Sequence, residues 1–134
     1  MNNVCYPDKT SVLVIGGSGV IGSAFLRHIA MKRDTVAIGL SRRPFLVPSD
    51  NILQLNYDLL DLDLNVGIHV QFKQKLKEIT HVVYAAYVDC DEQKVIRAIN
   101  IKLFSNALRF AAYFCPNLIH VTLMQGMKAY GSHI

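Results

Sequence analysis

The residues with the clearest chemical meaning lie near the start of the chain, in Gly16-Gly17-Ser18-Gly19-Val20-Ile21-Gly22. They read as G-x-x-G-x-x-G through Gly16, Gly19 and Gly22, or as G-x-G-x-x-G through Gly17, Gly19 and Gly22. Both spacings serve the same chemistry. Glycines permit a sharp strand-to-helix turn, let backbone N–H groups approach a pyrophosphate, and bring the helix close to a sheet. The pattern is weak alone and strong in context, and here the apolar run Val12-Leu13-Val14-Ile15 enters it directly while an amphipathic stretch leaves it. A glycine-rich turn without a ligand is the competing explanation.

Roughly 20 residues further on, an acid would hydrogen-bond the ribose 2′-hydroxyl of NAD, whereas an arginine would accommodate the 2′-phosphate of NADP. The chain has Gly39-Leu40-Ser41-Arg42-Arg43-Pro44 there, with two guanidiniums and no carboxylate. Charge complementarity therefore favours NADP(H) over NAD(H), with Ser41, Arg42 and Arg43 as candidate cofactor contacts. Arg42 is the stronger candidate; Arg43 reads equally well as a solvated loop charge. Asp58, after the third strand, would accept a hydrogen bond from an adenine amino group, with Leu59 lining the ring. A helix or turn cap is the alternative role for Asp58. Ala85 and Ala86 are small, as required where backbone passes close to a ligand, although helix-to-sheet packing explains them almost as well. Tyr87 follows at the expected mouth of the crevice.

Positioning these residues requires alternating strands and helices. Buried strands are predicted at Val12–Ile15, Thr35–Leu40, Ile52–Leu55, His81–Tyr87 and Leu118–Met124. Helices are predicted over Val20–Met31, over Val70–Ile79, and from Asp91-Glu92 to Phe114, where Cys115-Pro116 ends the pattern. Pro44 and Pro48 break the chain into a loop. Right-handed crossovers then give an α/β fold, a Rossmann-type doubly wound parallel sheet of order 3-2-1-4-5. The last helix shows apolar residues at Val95, Ile99, Leu103, Ala107 and Phe110, with Ile96, Phe104, Leu108 and Ala111 beside them. Such a face is too wide for packing on one sheet, so part of it is expected to meet another helix or a second subunit, making a homodimer a candidate assembly.

Composition narrows the classes further. The chain has 134 residues, 51% of them hydrophobic and 18% charged, with a net charge of +4. These values fit a single domain over 1–134 with a packed core and disfavour disorder. The basic residues fall in small separate clusters without interleaved aromatics, so no nucleic-acid partner is expected. No apolar run approaches the ~20 residues of a membrane span, and the first nine residues lack a signal-peptide layout, so the expected location is cytoplasmic. Cys5, Cys90 and Cys115 are odd in number and widely spaced, and the five histidines lack ligand spacing, so no metal site is expected.

Beyond these local readings, the glycine turn, Arg42-Arg43-Pro44, Asp58-Leu59, Thr80-His81-Val82-Val83-Tyr84, Asn100 and Leu123-Met124-Gln125-Gly126-Met127-Lys128-Ala129-Tyr130-Gly131 together resemble a known group. The resemblance is to the extended, atypical short-chain dehydrogenase/reductases of NAD(P)-dependent epimerase/dehydratase type, within them the progesterone 5β-reductase/iridoid synthase-like group. Gly126, Lys128 and Tyr130 match its G-x-K-x-Y pattern without a gap. The resemblance implies a nicotinamide dinucleotide, contacts at Gln125 and Gly126, and reduction of enone or enal double bonds with NADPH. It also implies that Lys128 polarises the substrate carbonyl or holds a tyrosine hydroxyl, stabilising the developing enolate. That tyrosine is expected tens of residues beyond Lys128, and Tyr130 belongs to the motif itself. The chain is accordingly expected to be the N-terminal, cofactor-binding part, truncated after the fifth strand, with the substrate segment beyond it. Two functional classes remain open: a reductase, and a dinucleotide-binding or interaction module that turns nothing over.

Overall fold

A computed structural model describes residues 9–46, 49–65 and 68–124. Five strands form one parallel sheet: β1 (Thr10–Ile15), β2 (Thr35–Ser41), β3 (Ile52–Asn56), β4 (His81–Tyr84) and β5 (His120–Leu123). Their order is β3-β2-β1-β4-β5, the predicted one. The helices are α1 (Val20–Ala30), α2 (Val70–Lys77) and α3 (Gln93–Phe114), with a 3-10 turn at Leu59–Asp61.

Period-two alternation along the strands divides the core into two layers. Val12, Val14, Ala37, Ile52 and Val83 face one side, where Leu26 and Ile29 of α1 cover them. Leu13, Ile15, Ile38, Leu40, Val82 and Tyr84 face the other, against Leu76 of α2 and Ala107 and Phe110 of α3. This two-sided cover is why β1 and β2 read as unbroken apolar runs. Phe110 is fully buried, with its ring centroid 5.6 Å from that of Tyr57 and 4.7 Å from that of Phe114. Truncating such a ring costs about 3–5 kcal/mol.

Local chemistry sets the element ends. The Asn51 amide donates to the carbonyls of Ile29 (3.0 Å), Lys32 (3.2 Å) and Thr35 (3.0 Å), fixing the end of α1 to the start of β2. Helices α1 and α2 stop slightly earlier than predicted, with Met31 and Glu78 as C-caps, while α3 ends at Phe114 as predicted and begins at Gln93 with Glu92 as its N-cap. β4 is shorter than predicted: it ends at Tyr84, and only Ala85 extends its bonding, donating to Ile15 O at 2.8 Å. Beyond Ile15 the β1 chain turns away at Gly16, which ends the ladder on that side of β4.

β5 occupies the edge that the predicted strand order gives it, but it is exposed where a buried strand was expected. It begins at His120 after a turn through Pro116, lies at the sheet edge, and exposes His120, Val121 and Leu123. The broad face of α3 is likewise divided. Leu103, Ala107, Phe110 and Ala111 are buried, Ile96, Ile99 and Phe104 are half-buried, and Val95 and Leu108 remain exposed. Among the described residues, no helix is long and apolar enough to cross a membrane.

Candidate functional site

β1 ends in a turn that only glycine accommodates. Gly16 has φ +90°, and a Cβ there would approach Ala86 N at 2.7 Å and Ala85 C at 2.8 Å. The turn is hooked to β2, because Gly16 N and Gly17 N both donate to Leu40 O, at 2.9 and 3.2 Å. A Cβ on Gly22 would press into the Gly16 carbonyl, so this glycine sets how closely α1 approaches the turn. Gly19 is the N-cap of α1 and accepts from Ser23 N at 2.9 Å. The first N–H groups of the helix therefore follow directly on the turn, as anion binding requires.

A cleft of about 600 Å³ opens at the carboxyl edge of the sheet, in the size range of small-molecule sites. Gly16, Ser18, Gly19, Val20 and Ile21 form its floor. Ser41, Arg42 and Arg43 line it from the β2 side, Asp58 and Leu59 from the exit of β3, and Ala85, Ala86 and Tyr87 from the exit of β4. Thus thirteen of the fifteen predicted cofactor contacts among the described residues line one cavity. Gly17 and Gly22 act behind the wall instead: Gly17 packs toward Leu26, Gly39 and Phe45, and Gly22 against the turn. Gln125, Gly126 and Lys128 lie outside the described residues. Val20 is 87% exposed and Tyr87 62% exposed, so apolar surface stands open at the cleft.

Asp58 performs the capping role weighed for it: its Oδ1 accepts from Leu60 N at 3.0 Å and starts the 3-10 turn, while the residue also lines the cleft. The Ser41 hydroxyl donates to the Arg43 carbonyl, bracing the segment that carries the two exposed arginines.

Four supporting residues carried no role in the sequence reading. Asn100 of α3 accepts from Val88 N at 2.9 Å and donates to Val88 O at 2.8 Å and Ile96 O at 2.9 Å, clamping the segment after β4. Six residues on, buried Asn106 donates to Leu59 O at 2.7 Å and holds the 3-10 turn. Amides on the inner face of an otherwise apolar helix were the available signal, since a buried polar group needs a partner. Phe45 and Gln54 support the arginine segment. A Cβ on Gly39 would meet Phe45 Cζ at 2.6 Å, so the ring occupies the notch that this glycine leaves. Glycine inside a strand marks such close approach and was the clue to Phe45.

A backbone cradle at a helix N-terminus, two guanidiniums on one wall and an apolar opening suit a pyrophosphate-linked ligand with a further anionic group. Residues 12–134 match the PRISE-like Rossmann-fold domain. The chain belongs to this family. The PRISE-like domain has curated relatives here: a short chain dehydrogenase, ausT, from Aspergillus calidoustus is 33% identical over 92% of this chain and 34% of that protein. An (S)-8-oxocitronellyl enol synthase from Nepeta cataria is 31% identical over 91% of this chain and 32% of that protein. The chain thus spans about a third of the length of these curated relatives. Among solved structures, a UDP-glucuronic acid 4-epimerase from Bacillus cereus in complex with NAD has a TM-score of 0.67 at 17% identity, covering 91% of this chain and 42% of that one. A short-chain dehydrogenase/reductase superfamily protein from Agrobacterium tumefaciens with bound NAD has a TM-score of 0.65 at 15% identity, covering 90% and 34%. At these identities the structural likeness bears on the fold.

Proposed function

We propose that this PRISE-like domain is the NADP(H)-binding portion of a short-chain dehydrogenase/reductase-type oxidoreductase that reduces an activated C=C or carbonyl substrate. The observation that carries the reading is one cleft in which the glycine turn faces Arg42 and Arg43. NADPH, when bound, supplies the hydride. In this reading the turn amides and the N-terminus of α1 hold the pyrophosphate, and Arg42, assisted by Arg43, pairs with the 2′-phosphate. Asp58 and Leu59 border the adenine, Asp58 retaining its cap, while Ala85 and Ala86 keep the opposite backbone close and Tyr87 shields the opening.

Lys128 is proposed, from the G-x-K-x-Y pattern alone, to place a cation at the oxygen where enolate charge develops. NADPH oxidation with a small enone such as cyclohexenone tests this reading. Turnover that disappears in Lys128→Ala supports the reductase; tight NADPH binding without turnover supports a non-catalytic module. A homodimer is the proposed assembly, supported by the exposed stripe Ala98, Ile101, Ser105, Leu108 and Ala112 on α3, which repeats at alternating intervals of three and four. Sedimentation as a monomer that is unaffected by Ile101→Glu would remove that part of the proposal.

A further inference from the structure

The segment leaving β2 is fixed at two points, with the arginines between them. At the first, Gly16 N and Gly17 N bond Leu40 O, Tyr57 N donates to Ser41 O at 3.0 Å, and the Ser41 hydroxyl reaches the Arg43 carbonyl. At the second, the Phe45 ring enters the notch above Gly39. Its Cζ lies 2.6 Å from where a Gly39 Cβ would stand and 3.1 Å from where one on Gly17 would stand, beside Leu26 Cδ1. The ring joins the α1-side core while neighbouring Leu46 is 96% exposed, so the chain is turned inward at Phe45 specifically. The backbone is tied as well. The Gln54 amide lies against both polar groups of Phe45; with its oxygen and nitrogen assigned from these partners, it accepts from Phe45 N at 3.0 Å and donates to Phe45 O at 2.7 Å. Arg42, Arg43 and Pro44 therefore form a short arch with both feet anchored next to the glycine turn.

We propose that Phe45, backed by Gln54, is the positioning residue for cofactor selection: it holds the arginine arch where the guanidiniums meet a 2′-phosphate. The inference rests on the NADP(H) reading above. Its physical basis is preorganisation. Long, exposed arginine side chains lose much of their value to entropy and solvent screening unless the backbone that carries them is fixed. An arch that adopts the binding arrangement a tenth of the time weakens apparent affinity about tenfold. That loss falls on the ligand that uses the arginines. A dinucleotide with a bare 2′-hydroxyl relies on the turn and on the β4 side, neither of which Phe45 holds alone.

The experiment is a parallel titration of NADPH and NADH against the chain and its Phe45→Ala, Phe45→Leu and Gln54→Ala variants. Phe45→Ala is expected to reduce the NADPH-over-NADH preference about fivefold or more with the NADH affinity changed less than about twofold, and Phe45→Leu to restore most of it. Gln54→Ala leaves the apolar notch filled and is expected to reduce the preference in the same direction by less; it carries the test alone if Phe45→Ala does not fold. Equal losses for both dinucleotides, or an unchanged preference, would overturn the inference. The two levels separate on the unmodified chain. If it shows no preference for NADPH, the cofactor reading fails and this inference with it; if the preference is present and survives both variants, only the role of Phe45 fails.

Discussion

The two rims of the cleft are built in opposite ways. The rim after β2 presents charge: Arg42 and Arg43 stand exposed on an arch held by an aromatic ring in a glycine notch. The rim after β4 presents backbone: Ala85 and Ala86 come so close to Gly16 that no Cβ fits between them, and an amide from α3 clamps Val88 on both its polar groups. Charge acts at a distance through flexible side chains, so its rim tolerates substitution except at the arginines and their anchor. Close approach tolerates almost nothing. In the proposed cofactor complex the first rim selects among dinucleotides, and the second sets whether any dinucleotide binds.

The largest effect expected from this contrast is at the backbone rim. Gly16→Val combines a positive φ with a Cβ directed at Ala86 N, and should destabilise the fold by about 1–3 kcal/mol or more while abolishing binding of both dinucleotides. Denaturant unfolding followed by cofactor titration checks it; a variant that still binds NADH normally would break the contrast. Next is Asn100→Ala, which leaves the half-buried N–H and C=O of Val88 without their side-chain partner and should cost about 1–3 kcal/mol. Affinities for NADPH and NADH should fall together, and a loss confined to one of them would assign selection to the wrong rim. The smallest effect is at the base of the same rim. The Tyr84 hydroxyl is buried with no hydrogen-bond partner among the described residues, and desolvation raises its pKa from 10.0 to about 12. Its unfolded-state ionisation precedes the folded one, so its stabilising effect is complete below pH 10 and is lost as pH rises toward 12. Tyr84→Phe should therefore change stability by no more than about 1 kcal/mol at neutral pH, in the favourable direction, and flatten the alkaline fall. Buried Cys115, pushed up from 9.0 to about 12 for the same reason, leaves a residual slope in that variant.

The same contrast explains what the sequence revealed. Strand order and the glycine turn were legible because apolar runs, periodicity and glycine spacing are local properties of the chain. The arginines were legible because their position after β2 is fixed by the fold. The β4 rim was not: Val83-Tyr84-Ala85-Ala86-Tyr87 reads as continuing strand, whereas the departure of β1 at Gly16 ends the ladder on that side after Ala85. β5 misled only in its burial: Ile119, Val121 and Leu123 look like core, although the predicted order already places the strand at an edge. For the anchors Asn100, Asn106 and Phe45 the local pattern marks only that a partner is needed; which partner it is, 12 residues away for Asn100 and 47 for Asn106, is set by the fold.

The central claim, that the β2 rim selects NADPH through Arg42, is tested most directly by titrating NADPH and NADH against the chain and Arg42→Ala at low and high salt. Hydrogen bonds to charged groups contribute about 1.5–3 kcal/mol, so the chain should bind NADPH at least about tenfold more tightly than NADH. That preference should shrink with salt and largely disappear in Arg42→Ala, with the NADH affinity unchanged. Equal affinity for the two dinucleotides, or a preference that persists without Arg42, would contradict the account.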